Sequence, residues 1–128
     1  MILFKKLLII SVILNLFPIT MAAQNNSHYL YELKLRTQFA HQSSWSEREE
    51  LIQKQHIQYL DLLTKQGILE LGGIIDQGLE NHLGVVILNV QSFEEAKKIA
   101  LTDPSVKKGM MTAHIRPLQI YFRRNRQD

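Results

Sequence analysis

His56 and Asp103 are the residues of this sequence whose types and settings could carry chemistry. His56 falls on the apolar face of a predicted helix, and Asp103 stands before a proline in Thr102-Asp103-Pro104. An imidazole titrates near neutral pH, and a neighbouring carboxylate fixes its tautomer and stabilises its protonated form. Such a pair could move a proton on a bound small molecule. Structural roles stay open, because a histidine can complete a buried helix face and an aspartate before proline can cap a helix.

The helix that carries His56 is predicted over residues 46–66. Ser46 followed by Glu49 has the spacing of a capping box, and Gly67 is typical of a helix C-terminus. Apolar side chains recur on one face of this segment at helical spacing, so we expect His56 to point inward or toward the rim of a cleft. That face comprises Ile52, His56, Tyr59, Leu60 and Leu63.

Four strands and a second helix complete the predicted pattern. Apolar and polar residues alternate over residues 29–37, as expected of a strand with one buried face. The other predicted elements are strands over 68–75, 83–90 and 111–122 and a helix over 92–101, which Ser92 and Glu95 open as a second capping box. This order predicts an α+β, ferredoxin-like βαββαβ fold with a four-stranded antiparallel sheet.

The strand at 83–90 is apolar on both of its alternating faces. Helices on one side of a sheet can cover only one of these faces, so we expect a second copy to cover the other and form a homodimer. Pro117 lacks the amide hydrogen that a central strand needs, which predicts an edge position for the last strand.

The N-terminus has the pattern of a secretory signal peptide over residues 1–23. Lys5 and Lys6 precede an apolar run, and the small pair Ala22-Ala23 follows it. The run is short for a membrane span of about 20 residues, so no membrane attachment is expected after cleavage. The mature protein is therefore expected to be exported, to the periplasm or outside the cell.

The mature chain is expected to form one domain over residues 29–122, after a disordered linker at 24–28 and before a basic tail at 123–128. Removing Lys5 and Lys6 leaves 13 of the 15 basic residues against 12 acidic ones, a net charge of +1. Nucleic-acid binding is not expected, because strand 83–90 has no aromatic residue for base stacking. The chain has no cysteine, which excludes disulfides and thiolate chemistry.

Other residues are weaker candidates for a ligand site. Arg36 could hold an anionic substrate, and Tyr59 could wall a pocket, although a solvated arginine and a core tyrosine are the simpler interpretations. Gly72-Gly73 could admit a ligand or another backbone, or mark a bulge. No metal or cofactor is expected, since the remaining histidines lack metal-ligand spacing.

Several short motifs resemble, in order and spacing, those of the YCII-related (YciI-like) proteins. The resemblance covers nearly all of the mature chain. Its motifs are Lys54-Gln55-His56-Ile57-Gln58-Tyr59-Leu60, Gly67, Leu71-Gly72-Gly73, Ser92-Phe93-Glu94-Glu95-Ala96, and Thr102-Asp103-Pro104 with Gly109.

The resemblance implies a dimeric α/β barrel in which two four-stranded sheets face one another. It also implies a site built from a helix histidine and the aspartate of the Asp-Pro motif, here His56 and Asp103. The fold is shared with muconolactone-isomerase-like and dehydrochlorinase-type enzymes that act on small ring compounds. The export signal departs from the commoner cytoplasmic members and argues against an intracellular catabolic role.

Two functions from different classes remain open. In the first, an exported enzyme uses His56, oriented by Asp103, for isomerisation or elimination without a metal. In the second, the same dimer is a non-catalytic ligand-binding or accessory module for a small organic compound. The enzyme hypothesis requires the His56 ring to approach the Asp103 carboxylate beside an opening to solvent.

Overall fold

The computed structural model describes residues 28–76 and 78–124 of the chain. The expected signal peptide at 1–23, most of the expected linker and residues 125–128 of the expected tail lie outside the described residues. The helices and strands are β1 (His28–Leu35), α1 (Glu47–Lys65), β2 (Leu69–Ile75), β3 (Leu83–Asn89), α2 (Phe93–Thr102), α3 (Pro104–Lys107) and β4 (Met111–Leu118). Short 3-10 turns lie at Thr37–Phe39, Gln42–Ser44 and Leu79–Asn81.

The strands form one antiparallel sheet in the order β2-β3-β1-β4. β1 and β3 are central and β2 and β4 are edges, which confirms the predicted α+β ferredoxin-like fold. Pro117 lies in β4 opposite Tyr29. Its missing amide hydrogen is tolerated there because an edge strand is hydrogen-bonded to a neighbour on one side only.

The hydrophobic core lies between the helices and one face of the sheet. Alternate residues of the two central strands are buried on this face, as the period-two pattern predicts. They are Tyr29, Tyr31, Leu33 and Leu35 of β1 and Val86 and Leu88 of β3. Ile52 and Leu63 of α1 and Ala96 and Ile99 of α2 close the core from the helix side.

The other face of the sheet, which we call the open face, is also partly apolar. Leu30, Val85 and Ile87 are half-buried on the central strands. Leu71 and Ile75 of β2 lie in the same face and are 62% and 53% exposed. Both sides of β3 are therefore apolar, but the described part of the chain covers the second of them only in part.

Local sequence signals fix α1 as predicted. The Ser46 side chain accepts a hydrogen bond from the backbone N–H of Arg48, and Glu49 accepts one from the N–H of Ser46 at 2.9 Å, which completes the capping box. Gly67 follows the helix with φ of +72°, a left-handed conformation that glycine adopts without a steric penalty. None of the described helices is both long and apolar enough to span a membrane.

Two local expectations differ from the structure. Glu95 accepts its reciprocal bond from the N–H of Gln91, not from that of Ser92, so the second capping box is displaced by one residue. The irregularity of β2 lies between Leu69 and Leu71, and Gly72-Gly73 pairs regularly with β3, so the glycine pair does not mark the bulge.

The outer strands also have different ends from those predicted. β4 ends at Leu118 and not at residue 122, because Leu118 is paired with His28, the first residue of β1. His28 thus belongs to the strand and not to the expected linker. β1 ends at Leu35, and the chain turns into a 3-10 segment at Thr37.

Candidate functional site

The His56 ring and the Asp103 carboxylate meet in the interior of the protein. His56 Nδ1 lies 2.9 Å from both Oδ1 and Oδ2 of Asp103. α1 brings the histidine to the helix side of the sheet, and the junction of α2 and α3 brings the aspartate. The pairing that the sequence suggested is therefore present in the fold.

The Asp-Pro motif explains the position of Asp103. A residue before proline is driven out of the helical region, and Asp103 has φ of −55° and ψ of +124°, so α2 ends there. Pro104 then begins α3, and the Asp103 side chain accepts a hydrogen bond from the N–H of Ser105 at 2.9 Å. The structural role expected of an aspartate before proline and its pairing with His56 therefore coexist in one carboxylate.

Two further side chains donate hydrogen bonds to Asp103. The Tyr31 hydroxyl donates to Oδ2 at 2.9 Å, and the Ser105 hydroxyl donates to Oδ1 at 2.7 Å. Tyr31, Asp103 and Ser105 are each 0% exposed. With His56 Nδ1 and the Ser105 amide, the buried carboxylate has four donors, an arrangement that suits its ionised form.

Sequence reasoning missed Tyr31 and Ser105 as site residues. Ser105 could have been suggested by its position two residues after an N-cap aspartate. For Tyr31, the alternation of β1 predicted only an inward side chain, and no local signal pointed to Asp103, which is 72 residues away.

Hydrogen bonding decides the charge state of Asp103. Burial alone would raise the pKa of Asp103, but the hydrogen bond and positive charge of His56 and the hydrogen bonds from Ser105 bring it below its ordinary value. Burial and the nearby Asp103 carboxylate raise the pKa of Tyr31 far above its usual range. Tyr31 therefore remains a protonated donor to an ionised Asp103.

The carboxylate also fixes the tautomer of His56. An ionised carboxylate can only accept, so Nδ1 carries the proton and Nε2 is left with a lone pair when the ring is neutral. Nε2 of His56 makes no hydrogen bond within the described part of the chain. It is not a fully buried atom without a partner, because Gln53 Oε1 is the one such side-chain nitrogen or oxygen among the described residues. Nε2 is thus reached by solvent, although the His56 side chain is only 6% exposed.

Tyr59 lies near this pair and has a definite partner. Its hydroxyl donates to the backbone oxygen of Ile99 at 2.9 Å and so ties α1 to α2. Burial, together with the Asp103 charge, raises the pKa of Tyr59 to about 12. Its hydroxyl is therefore neutral at ordinary pH.

The other residues predicted to contact a ligand lie apart from the hydrogen-bond network of His56 and Asp103, which we call the dyad. Arg36 is exposed after β1, where its backbone N–H donates to the oxygen of Met110. Gly72 and Gly73 lie on the edge strand β2, opposite Val86 and Val85. No hydrogen bond or ion pair among the described residues joins these three residues to the dyad.

Two cavities of the described structure lie elsewhere. One, of about 870 Å³, lies between the open face and residues 118–124 and includes Leu71, Ile87 and Tyr121 in its lining. The other, of about 560 Å³, follows the outer side of α1 beside Trp45 and Ile57. The chemistry of the dyad, not the size of these cavities, identifies the candidate site. Among the described residues, no three acidic, histidine or cysteine side chains are grouped as metal ligands.

Comparison with known proteins agrees with the motifs and the fold. The model of the YCII-related domain family matches residues 29–118. Among solved structures, the chain is similar to 5-chloro-2-hydroxyhydroquinone dehydrochlorinase from Burkholderia phenoliruptrix in complex with 2,5-dihydroxybenzoquinone, with a TM-score of 0.55 and 16% identity. The similarity covers 72% of this chain and 93% of that chain, and it shows a shared fold. No curated protein matches this chain.

Proposed function

Because this chain belongs to the YCII-related domain family, we propose that it binds a small organic molecule and acts on it as an acid/base enzyme of the isomerase or lyase type. His56 is its proton-transfer group and Asp103 orients it. The observation that carries the proposal is the buried contact of His56 Nδ1 with both Asp103 oxygens at 2.9 Å, which leaves Nε2 available.

The proposed mechanism is a proton transfer through His56. Nε2 takes a proton from a hydroxyl group or an activated carbon of the ligand, and the Asp103 carboxylate stabilises the imidazolium that forms. In an isomerisation the proton returns to another ligand atom. In an elimination the electron pair of the broken bond leaves with the departing anion, and the His56 imidazolium then passes its proton to solvent. A positioned acid/base group of this kind contributes roughly 10²- to 10⁴-fold to a rate.

The ligand class we propose is a small ring compound that bears oxygen atoms. It is supported by the fold shared with a dehydrochlorinase solved with a dihydroxybenzoquinone. Ring hydroxyls and carbonyls offer both an acidic proton for Nε2 and acceptors for nearby donors. The chemistry proposed needs no cofactor, because the proton donor and acceptor are side chains of the chain itself.

A homodimer is the proposed assembly. Its support is the apolar open face, in which half-buried Val85 and Ile87 lie beside exposed Leu71 and Ile75. Sedimentation of the mature protein at micromolar concentration tests it, and a stable monomer would contradict it.

Export is proposed from the sequence of residues 1–23. Expression of the full chain in a bacterium should yield a periplasmic product whose first residue follows Ala22 or Ala23. Retention of the intact chain in the cytoplasm would contradict the proposal.

The catalytic role is tested with His56→Asn. The asparagine amide retains a donor near the position of Nδ1 but removes Nε2, so Asp103 keeps a partner while the base is lost. We expect 2,5-dihydroxybenzoquinone to bind both proteins, and 5-chloro-2-hydroxyhydroquinone to release chloride with the wild type only. Equal release by the variant would exclude His56 as the base.

A non-catalytic module is the second candidate. It is favoured by one observation, that all four donors to Asp103 also serve the packing of α1, α3 and β1. Binding of the quinone by wild type, with no turnover across a panel of chlorinated and hydroxylated ring compounds, would favour the module.

A further inference from the structure

His82 is a second histidine on the helix side of the sheet. It lies between the 3-10 turn Leu79–Asn81 and β3. Gly84 and Val86 of β3 are buried on the helix side, and the same alternation extended to the residue before the strand assigns His82 to that side. Its side chain is half-buried and makes no hydrogen bond within the described part of the chain.

The loop that carries His82 is held against the segment that follows β1. Leu79 and Trp45 pack on the hydrophobic core from these two segments. His41 and Glu80 pair across them at 3.5 Å, with both side chains largely exposed. The position of His82 is therefore supported mainly by the packing of the half-buried Leu79 and Trp45 on the core, since an exposed ion pair contributes little.

His82 also lies within electrostatic range of the dyad. Burial, followed by the positive charge of His56, lowers the pKa of His82 below its ordinary value. His82 is therefore neutral at neutral pH, when its ring offers one N–H donor and one acceptor. Within the described residues, neither Nε2 of His56 nor the ring nitrogens of His82 make a hydrogen bond, and none of these atoms is fully buried.

We propose that His82 is a ligand-binding residue of this site, which donates a hydrogen bond to an oxygen atom of the bound ring compound while His56 exchanges the proton. The inference rests on the proposed function and deepens it. Two imidazoles on one side of the sheet, each with an unused nitrogen, suit a ligand with two oxygen substituents. A ring without oxygen would leave the His82 donor unsatisfied on binding.

Binding of 2,5-dihydroxybenzoquinone to the full mature protein tests the inference. His82→Phe keeps an aromatic ring and removes the donor, so we expect the dissociation constant to rise roughly three- to tenfold, as for loss of one hydrogen bond. His114→Phe is the matched control, because His114 pairs with Glu32 on the face of the sheet opposite to His56 and Asp103. That control should change the constant by less than about twofold.

A second measurement needs no ligand. NMR titration of the His82 ring in wild type and in His56→Asn should give a higher pKa for His82 in the variant, because the neighbouring positive charge is gone. An unchanged value would place His82 outside the site and overturn the inference.

The two proposals fail in different ways. If wild type does not bind the quinone, the proposed ligand class is wrong, and so is the proposed role of His82. If wild type binds it, but His82→Phe binds equally well, only the role of His82 is overturned.

Discussion

At the residue scale, Asp103 is the centre of the site. A buried carboxylate is costly unless hydrogen bonds and an opposite charge replace its hydration, and Asp103 has both. Its four donors come from α1, β1 and α3, so one ionised group both joins these elements and orients the imidazole. Structural and chemical roles therefore do not exclude each other here.

Replacement of Asp103 by asparagine should destabilise the protein strongly. Asn offers one acceptor oxygen and places an NH2 group against donors, so the free energy of unfolding should fall by about 3 kcal/mol or more. Urea denaturation measures the change. Asp61→Asn is the control, because Asp61 is exposed and its one ion pair among the described residues is with exposed Lys65, and it should cost less than about 1 kcal/mol. Equal costs would contradict the role of Asp103.

The Tyr31 hydroxyl should stabilise the fold through Asp103. Tyr31→Phe keeps the ring and removes one donor to an ionised group, which should cost about 1.5–3 kcal/mol in urea denaturation. Tyr29→Phe is the matched control on the same strand and face, since no described residue bonds to its hydroxyl. A loss confined to Tyr31→Phe is expected, and equal losses would contradict it.

At the element scale, the ends of the helices place the dyad. The capping box at Ser46 and Glu49 starts α1 where His56 falls on the inner face, and Pro104 ends α2 at Asp103. These signals act over a few residues, so they could be predicted from sequence. The helical repeat of α1 then places the His56 side chain on the face that contacts the Asp103 carboxylate.

The Glu49 cap should contribute to the stability of the protein in acid. Hydrogen bonds from Ser46 and Arg48 lower the pKa of Glu49 from 4.5 to about 2. When folding lowers the pKa of a carboxyl, that carboxyl adds to the free energy of unfolding. The addition is fully present at pH values above the ordinary pKa, and it is lost as the pH falls through the pKa of the folded state. Unfolding measured across this window should show a smaller loss for Glu49→Gln than for wild type. Exposed Glu50→Gln should behave as wild type, and a wild-type profile for Glu49→Gln would contradict the cap.

At the scale of the whole molecule, the sheet separates two environments. The helix side holds the core and the dyad, and the open face exposes apolar side chains of β2 beside half-buried ones of β3. The proposed homodimer would cover this second face and leave the dyad within each subunit. Assembly and proton transfer would then be separable by mutation.

Ile87→Lys should therefore separate dimerisation from folding. Ile87 lies on the open face and is only half-buried, so a lysine there should leave the core intact but bury a charge in the proposed interface. Sedimentation should show a folded monomer at concentrations where wild type is dimeric. Leu62→Lys, on the exposed side of α1, is the control and should remain dimeric. A dimeric Ile87→Lys would place the interface elsewhere.

The sequence alone determined the order of elements, the central places of β1 and β3 and the edge position of β4. Hydrophobic period, caps and Pro117 are local properties of the chain, so they can be interpreted without knowing which elements touch. The motifs also indicated the family and the dyad residues. The exact ends of the strands were less determined, because a strand ends where its neighbour does, as at Leu118 opposite His28.

Only the tertiary structure decided which side chains surround Asp103. Tyr31 and His56 are 72 and 47 residues away from it in sequence, and their contacts depend on sheet register and on the placement of two helices. A shift of one residue in β1 would turn the Tyr31 hydroxyl to the open face. The same dependence put Arg36 and Gly72-Gly73 outside the dyad's hydrogen-bond network, since residue type can suggest a ligand contact but only packing brings the residue to the site.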